Sequence, residues 1–269
     1  MSPEPDGKLL SAALGLIEER LKDRGGLIVI GLAGSQGSGK STLAKALCAA
    51  LLADGVRCEA VSLDDFYLSP AARGELARTV HPLLQTRGVP GTHDVALAMA
   101  TITALRAGHS AALPRFDKAH DAPLDPAQWR VADAGLRVLI LEGWCIGARP
   151  QPDDLLDQPV NALERDEDAD GSWRRFVNTQ LAGPYHALFN KIDALIFLAA
   201  PDFPVVRDWR LQQEREIAGQ GPRVMDEAAI ARFIQHYQRI TQWMLEDLPD
   251  RADLVIRLGC GRQVLAFES

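Results

Sequence analysis

Gly34-Ser35-Gln36-Gly37-Ser38-Gly39-Lys40-Ser41 is a glycine-rich segment from which the fold of this chain is predicted. It fits the pattern G-x-x-x-x-G-K-[ST], in which glycines let the backbone point several N–H groups at one anion. The apolar run at residues 27–32 precedes the motif, and a helical pattern at residues 41–54 follows it. A strand, a loop and a helix in this order are the setting in which the motif binds phosphate groups.

The residues of this loop predict a site for a nucleoside triphosphate. The N-terminus of the following helix adds its positive end, Lys40 reaches the outer phosphates, and the Ser41 hydroxyl is offered to Mg²⁺. The alternative is a glycine-rich turn that contains a lysine by chance, but the flanking strand and helix favour the phosphate site. The predicted nucleotide-binding residues are Gly34, Ser35, Gln36, Gly37, Ser38, Gly39, Lys40, Ser41 and Thr42.

The rest of the chain alternates apolar strand-like runs with helical patterns. After the first strand, apolar runs occur at residues 60–63, 137–141, 194–198 and 254–258. Helical patterns occur at residues 9–21, 41–54, 94–107, 173–189, 204–217 and 226–248. This order predicts an α/β protein of the P-loop NTPase fold, with one domain over residues 1–269. The predicted domain has three layers, α/β/α, and its middle layer is a mostly parallel five-stranded sheet. Ligands of such sheets bind at the carboxyl ends of the strands.

The composition is that of an ordinary globular protein, with 269 residues of which 47% are hydrophobic. The formal net charge is −7, and residues 150–172 alone carry eight acids and one arginine, so the rest of the chain is neutral. We therefore predict an acidic surface insertion or loop at 150–172, and no nucleic-acid or membrane partner. The opening residues resemble no leader sequence, which predicts a cytoplasmic protein, and the oligomeric state stays open.

Acidic residues follow two of the predicted strands. Asp64 and Asp65 follow the second strand, and Glu142 follows the third, so all three are expected at the edge of the sheet that carries the phosphate loop. Asp64 is predicted to accept the proton of an attacking hydroxyl or to hold Mg²⁺, with a helix N-cap as the alternative. Asp65 has either a structural role or a substrate contact. Glu142 is the second predicted carboxylate for Mg²⁺, alongside Ser41 and Asp64.

Two turn-rich segments supply candidates for contact with an acidic acceptor. Arg87 and His93 lie in the first segment, and a capped turn, with Asp94 as the N-cap, is the alternative interpretation. Arg115 and Lys118 lie in the second, where a surface ion pair is the alternative. The predicted substrate-binding residues are Asp65, Tyr67, Arg87, Thr92, His93, Asp94, Arg115 and Lys118.

A lid-like helix is predicted at residues 203–217. Arg207 and Arg210 are three residues apart and therefore share a face, from which two guanidinium groups can clamp a transferring phosphate. An ordinary pair between Arg210 and Glu214 is the alternative. The predicted catalytic residues are Lys40, Asp64, Arg207 and Arg210.

Six motifs in this order resemble those of the D-glycerate 3-kinase-like P-loop kinases, which group with uridine kinase, pantothenate kinase and phosphoribulokinase. The motifs are GSQGSGKST at 34–42, SLDDFYL at 62–68, RGVPGTHD at 87–94, LPRFDK at 113–118, EGW at 142–144 and WRLQQE at 209–214. The resemblance implies Mg²⁺-dependent transfer of the γ-phosphoryl group of ATP to a small hydroxyl acceptor, with Asp64 as the base. D-Glycerate is the expected acceptor. A nucleoside, pantothenate or another sugar acid is the alternative, as is a nucleotide-binding regulatory protein with little transfer activity.

Overall fold

A sheet of six strands lies at the centre of the computed structural model, which describes residues 6–217 and 227–268 and leaves out the side chains of residues 213–217 and 227. In chain order the strands of the protein are β1 (Ile28–Gly34), β2 (Cys58–Ser62), β3 (Ala111–Leu113), β4 (Phe116–Asp117), β5 (Ala122–Pro123), β6 (Arg130–Ala132), β7 (Val138–Gly143), β8 (Ala194–Ala199), β9 (Leu254–Leu258) and β10 (Val264–Glu268). The central sheet has the order β10-β9-β8-β1-β7-β2, while β3 pairs with β6 and β4 with β5.

Helices cover both faces of this sheet. They are α1 (Gly7–Asp23), α2 (Lys40–Ala53), α3 (Pro70–Thr79), α4 (Val95–Arg106), α5 (Ala162–Glu167), α6 (Ser172–Gln180), α7 (His186–Phe189), α8 (Phe203–Ile217) and α9 (Glu227–Asp247). A π-helical turn, Leu181–Tyr185, joins α6 to α7, and short 3₁₀ turns include Leu63–Phe66 and Asp153–Leu156. Among the described residues no helix is both long enough and apolar enough to cross a lipid bilayer.

The predicted α/β fold is confirmed, and the five predicted strands form the parallel part of the sheet. β1 lies at the centre between β7 and β8, and all seven of its residues are buried. The prediction of five strands needs one correction, because β10 adds an antiparallel sixth strand beside β9. Four of the five residues of β10 are exposed, so hairpin pairing and not burial fixes this edge strand.

Two apolar layers hold the helices against the sheet. On one face α2 presents Leu43, Leu47 and Leu51, which recur every fourth residue and are at most 2% exposed. The other face packs against α4, the segment from α6 to α7, and α9. This packing places the loop between β1 and α2 at the carboxyl edge of the sheet, beside the ends of β2 and β7.

The acidic segment at residues 150–172, predicted as a surface insertion or loop, contains regular structure and two buried acids. It contains the Asp153–Leu156 turn and α5, and two of its eight acids, Glu164 and Asp168, are no more than 1% exposed. Glu164 lies 2.6 Å from the guanidinium of Arg239, and Asp168 lies 3.0 Å from that of Arg174. The other six acids are exposed. Two charges of the segment therefore hold it against α6 and α9.

Replacing Arg239 by methionine is expected to lower the free energy of unfolding by about 3 kcal/mol, because Glu164 stays buried without its counter-ion. Arg239 also donates to the carbonyl oxygens of Leu155 and Gln158 at 2.7 Å, and these bonds are lost as well. Urea unfolding measures the change. Arg232→Met, which removes an exposed pair with Glu167, is the matched control and is expected to change stability by about 0.5 kcal/mol or less. Equal effects of the two variants would contradict the prediction.

Candidate active site

The loop that follows β1 has the backbone shape of a phosphate site. Gly37 and Gly39 have φ angles of 77° and 92°, in the left-handed region that glycine adopts without strain. A β-carbon on Gly37 would lie 2.8 Å from Cβ of Trp209 in α8, so this position also has no space for a side chain. Helix α2 begins at Lys40, directly after the loop. Its N-terminus therefore faces the space that the loop encloses.

Lys40, Ser41 and Glu142 form a polar group at the start of α2. The Ser41 hydroxyl donates to Oε1 of Glu142 at 2.7 Å, and Nζ of Lys40 lies 4.0 Å from Oε2. Glu142 is 7% exposed, and within the described part of the chain its Oε2 has no hydrogen-bond partner. That part also has no cluster of three or more His, Cys, Asp or Glu side chains able to hold a metal. A hydroxyl beside one buried carboxylate fits Mg²⁺, which completes its shell with phosphate oxygens and water.

Asp64 lies in the 3₁₀ turn after β2 with both carboxylate oxygens engaged. Oδ1 accepts a hydrogen bond from the Tyr67 hydroxyl at 2.8 Å, and Oδ2 accepts one from Nζ of Lys118 at 2.5 Å. Burial alone would raise the pKa of Asp64, but the positive charges of Lys118 and Lys40 outweigh burial and lower the pKa to about 2. The side chain is therefore an ionised carboxylate at neutral pH.

Asp65 was predicted to have either a structural role or a substrate contact, and its hydrogen bonds match the structural role. Its Oδ2 accepts from the backbone N–H of Ser62 in a capping box, and its Oδ1 accepts from the backbone N–H of Phe116 at 3.2 Å. Nε of Arg115 lies 3.7 Å away, and burial raises the pKa of the Asp65 carboxyl. Asp65 and Arg115 thus join the β2 turn to the segment before β4, which corrects the predicted substrate contact of Asp65.

A cleft opens beside the phosphate loop and contains seven of the twenty-one predicted site residues. Its walls come from the phosphate loop, the turn after β2, the loop after α3, the β4–β5 hairpin, the end of β7, α8 and α9. The lining residues are Gln36, Lys40, Asp64, Tyr67, Arg87, Lys118, Trp144, Arg210, Phe233 and Tyr237. Phe233 and Tyr237 belong to the helical pattern at residues 226–248, for which the sequence predicts no site residue, so their position at the cleft was not expected.

The loop that carries Arg87 is held by aromatic side chains from α9 and β7. Tyr237 donates its hydroxyl to the Arg87 carbonyl at 3.0 Å, and Nε1 of Trp144 donates to the Gly88 carbonyl at 2.9 Å. The guanidinium carbon of Arg87 lies 5.5 Å from the centre of the Phe116 ring. Hydrogen bonds and ring contacts therefore fix both the backbone and the side chain of Arg87 at the cleft.

Thr92 and Asp94 stabilise this loop and do not line the cleft. Thr92 is fully buried, and its hydroxyl accepts from Gly88 N at 2.9 Å and donates to the Val89 carbonyl at 2.7 Å. Asp94 is the N-cap of α4 and accepts from Leu97 N at 2.9 Å. The buried Thr92 hydroxyl is used within the turn, which corrects its predicted substrate contact, whereas the capping bond of Asp94 uses Oδ1 and its predicted substrate contact stays a prediction.

His93 lies behind the cleft and not in it. Its ring stacks on Tyr67 with centroids 4.7 Å apart, and Nδ1 lies 2.5 Å from the Tyr185 hydroxyl. Burial lowers the pKa of His93 to about 4, so the ring is neutral at pH 7. A neutral, buried imidazole does not supply a positive charge for an acidic acceptor, which corrects the predicted substrate contact of His93.

Protein stability is expected to fall as the pH is lowered from about 6.5 toward 4. Burial lowers the pKa of His93 and of His236 from 6.5 to about 4, so between these values the unfolded chain binds more protons than the folded one. Each histidine accounts for a loss of about 3 kcal/mol over this range. Urea unfolding at pH 7 and pH 4.5 measures the loss, and His93→Phe should reduce it, whereas the exposed His109→Gln should not. Identical losses in these two variants would contradict the assignment.

Arg207 and Arg210 occupy different surroundings on α8. Arg210 lines the cleft, with its guanidinium carbon 5.6 Å from the centre of the Phe233 ring. Arg207 is exposed, lies 3.5 Å from Asp208, and does not line the cleft in this structure. The Glu214 side chain is outside the described residues. The structure therefore brings one of the two predicted clamp arginines to the phosphate loop.

One contact with the phosphate loop was not expected from the sequence. Nε of Arg262, in the turn between β9 and β10, donates to the Gly37 carbonyl at 2.5 Å. The same guanidinium lies 5.2 Å from the Trp209 ring, and Nε1 of Trp209 donates to the Cys260 carbonyl at 2.6 Å. The sequence holds no local signal for this contact, because Arg262 and Gly37 are 225 residues apart. The edge hairpin and α8 thus support the loop from outside.

Comparisons with known proteins identify kinases among the relatives of this chain. An uncharacterized kinase of Schizosaccharomyces pombe is 33% identical over 255 residues, which cover 91% of each chain. The chloroplastic D-glycerate 3-kinase of Arabidopsis thaliana is 31% identical over 78% of this chain, which spans 46% of that longer protein. The solved D-glycerate 3-kinase of Cryptococcus neoformans superposes with a TM-score of 0.83 at 26% identity, covering 98% of this chain and all of that one. No family model matches the chain.

Proposed function

Because the chain belongs to the P-loop kinase family that contains D-glycerate 3-kinase, and is thus an ATP-dependent phosphotransferase with an alcohol acceptor, we propose that its acceptor is D-glycerate. One observation carries the proposal. The cleft that holds Lys40 of the phosphate loop also holds the Asp64 carboxylate and two cations, Arg87 and Lys118. A carboxylate to activate a hydroxyl and cations to bind an acid, in one small cleft, suit a small hydroxy acid.

The phosphate groups of ATP would be bound by the loop and the start of α2. Backbone N–H groups around Gly37 and Gly39, the positive end of α2 and the Lys40 ammonium group all stabilise negative charge there. Ser41 and Glu142 would hold Mg²⁺, which when bound neutralises charge on the phosphate oxygens. Arg210 lines the same cleft and would add a guanidinium group toward the transferring phosphoryl group.

Asp64 is the proposed base for the acceptor hydroxyl. In the transfer step, a bond forms between the hydroxyl oxygen and the γ-phosphorus, and the bond from the γ-phosphorus to the bridging oxygen breaks, with its electron pair leaving on ADP. The hydroxyl proton passes to the Asp64 carboxylate. The Tyr67 hydroxyl orients this carboxylate through its hydrogen bond to Oδ1. Most of the rate enhancement is expected from positioning and charge stabilisation.

A coupled assay of ADP release, run with D-glycerate and a panel of other hydroxyl compounds, tests the proposed acceptor. D-Glycerate is expected to accelerate ADP release and to be converted to a phosphorylated product detectable by mass spectrometry. The panel includes a nucleoside, pantothenate and other sugar acids. Faster turnover of one of these would contradict the proposed acceptor, and no acceleration by any compound would favour a nucleotide-responsive protein with little transfer activity.

A further inference from the structure

The hairpin formed by β4 and β5 is attached at its turn by the ion pairs of Asp121 with the buried Arg73 and with Arg87. Asp121, at this turn, has a φ angle of 55°. Its Oδ2 accepts from Nη2 of Arg73 at 2.6 Å, and its Oδ1 accepts from Nη1 of Arg87. Arg73 is 1% exposed, so its charge depends on Asp121 for compensation. The turn of the hairpin is therefore fixed to α3 and to the loop that carries Arg87.

Lys118 on the same hairpin has a fixed backbone and an accessible head group. Nη2 of Arg87 donates to the Lys118 carbonyl at 3.2 Å, which holds its main chain. The Lys118 side chain is 58% exposed, and its ammonium group makes the 2.5 Å contact with Oδ2 of Asp64. An ammonium group on a flexible four-carbon chain, exposed to water as that of Lys118 is, exchanges partners readily. This contact can therefore be exchanged, whereas the Asp121 contacts with buried Arg73 cannot be broken without leaving a buried charge.

The contact with Lys118 also makes Asp64 a poorer acceptor of a proton. A positive charge 2.5 Å from Oδ2 stabilises the carboxylate in its ionised form, and the ammonium group occupies space beside the oxygen that a hydroxyl has to approach. Oδ1 is already bound to the Tyr67 hydroxyl. A hydroxyl that enters the cleft thus meets an ionised carboxylate whose charge is balanced by Lys118 and whose oxygens are partly covered.

We propose that Lys118 makes the negative charge of the acceptor a condition for catalysis: an anionic acceptor takes the ammonium group from Asp64 and frees Oδ2 for the acceptor hydroxyl. The inference rests on the proposed function in that it requires an anionic acceptor and Asp64 as the base. Lys118 then determines specificity in two ways, because it binds the anion and, until an anion is present, keeps the base covered. Neutral hydroxyl compounds are excluded by the second effect even when they fit the cleft.

The activity of Lys118→Met tests the proposed role of Lys118. It is measured with D-glycerate, with glycerol, which has the terminal hydroxyl but no charge, and without any acceptor. We expect kcat/KM for D-glycerate to fall about tenfold or more, and kcat/KM for glycerol and acceptor-free ATP hydrolysis both to rise about tenfold. Changes of opposite sign separate this role from simple binding of the anion. Lys118→Arg should keep the preference for D-glycerate, and Lys22→Met, an exposed lysine at the end of α1, should behave as the unchanged protein.

D-Lactate supplies a second readout, because it has the carboxylate of D-glycerate but no terminal hydroxyl to receive the phosphoryl group. It is expected to stimulate ATP hydrolysis by the unchanged protein and to have no effect on Lys118→Met. The inference is overturned if glycerol turnover and acceptor-free ATP hydrolysis in Lys118→Met stay unchanged or fall. If the unchanged protein does not phosphorylate D-glycerate, the proposed acceptor is wrong, but acceptor-free ATP hydrolysis by Lys118→Met still decides whether Lys118 restrains Asp64. Thermal melting shows whether each variant is folded.

Discussion

Lys40→Met is expected to lower kcat for phosphoryl transfer by about a thousandfold or more. Lys40 lies at the first position of α2, next to the backbone N–H groups of the loop and of the helix N-terminus. It is the one side-chain cation that the loop motif itself contributes. Methionine preserves the length of the Lys40 side chain but not its charge. The substitution therefore removes the positive charge that stabilises the γ-phosphoryl oxygens in the transition state.

Steady-state kinetics and ATP titration measure separate consequences of this substitution. We expect kcat to fall more than ATP affinity, because the backbone N–H groups of the loop still bind the phosphates. Lys45→Met, at an exposed position on the same helix, is the matched control and is expected to keep full activity. Lys40→Arg should also be poorly active, because a planar guanidinium does not replace a compact ammonium group in this loop. Wild-type kcat in Lys40→Met would contradict the assignment of the loop as the nucleotide site.

The phosphate loop and the parallel strands are predictable because their signals are local. The loop motif, the buried strand before it and the helix after it lie within one continuous stretch, so sequence order already gives their spatial order. Asp64 and Glu142 are predictable at the same edge for a related reason, since residues that follow parallel strands meet there. Ser62 and Glu142 are in fact register partners on β2 and β7.

The rest of the site depends on partners that are distant in the sequence. The residues around Asp121 do not indicate its contact with Arg73, 48 residues away, and composition alone does not indicate that Glu164 is buried against Arg239, 75 residues away. Arg262 reaches the phosphate loop only because β10 extends the sheet and turns the hairpin toward Gly37. Tertiary packing determines these contacts, and no periodicity in the chain encodes them.

Polar residues in turns are ambiguous for a different reason. Asp65, Thr92 and Asp94 have side chains that suit substrate contact and also suit capping of a turn or helix. The structure resolves the ambiguity in favour of capping for Asp65 and Thr92, because their oxygen atoms accept hydrogen bonds from nearby backbone N–H groups, while Asp94 caps α4 and its predicted substrate contact stays a prediction. Asp64 differs from them in that both of its carboxylate oxygens face side chains that line the cleft.

Asp64→Asn is expected to lower kcat by about a hundredfold to ten-thousandfold, with little change in ATP affinity. Asparagine retains an oxygen for the Tyr67 hydroxyl but has no negative charge to pair with Lys118 and cannot take the hydroxyl proton. Asp65→Asn is the matched control, one residue along the same turn. It is expected to lower the free energy of unfolding by about 1 kcal/mol, through its capping box, and to leave kcat nearly unchanged. The reverse result, a loss of kcat in Asp65→Asn alone, would make Asp65 the base.

The pH dependence of the reaction provides an independent test of the same assignment. Because Lys118 and Lys40 outweigh burial and lower the pKa of Asp64 to about 2, the carboxylate is ionised in the free protein at every pH above about 4. Protonation of Asp64 therefore removes activity only as the pH falls toward 2, below the range in which the protein is expected to stay folded.

An acid limb of kcat/KM above pH 4 must then come from another group or from the substrates. Its midpoint should stay unchanged in Lys22→Met and in Asp65→Asn, which do not alter the cations beside Asp64. In Lys118→Met the loss of the nearest cation is expected to raise the pKa of Asp64, so an acid limb that moves to higher pH in Lys118→Met but not in Lys118→Arg would support Asp64 as the base. An acid limb that is the same in both variants would contradict this assignment.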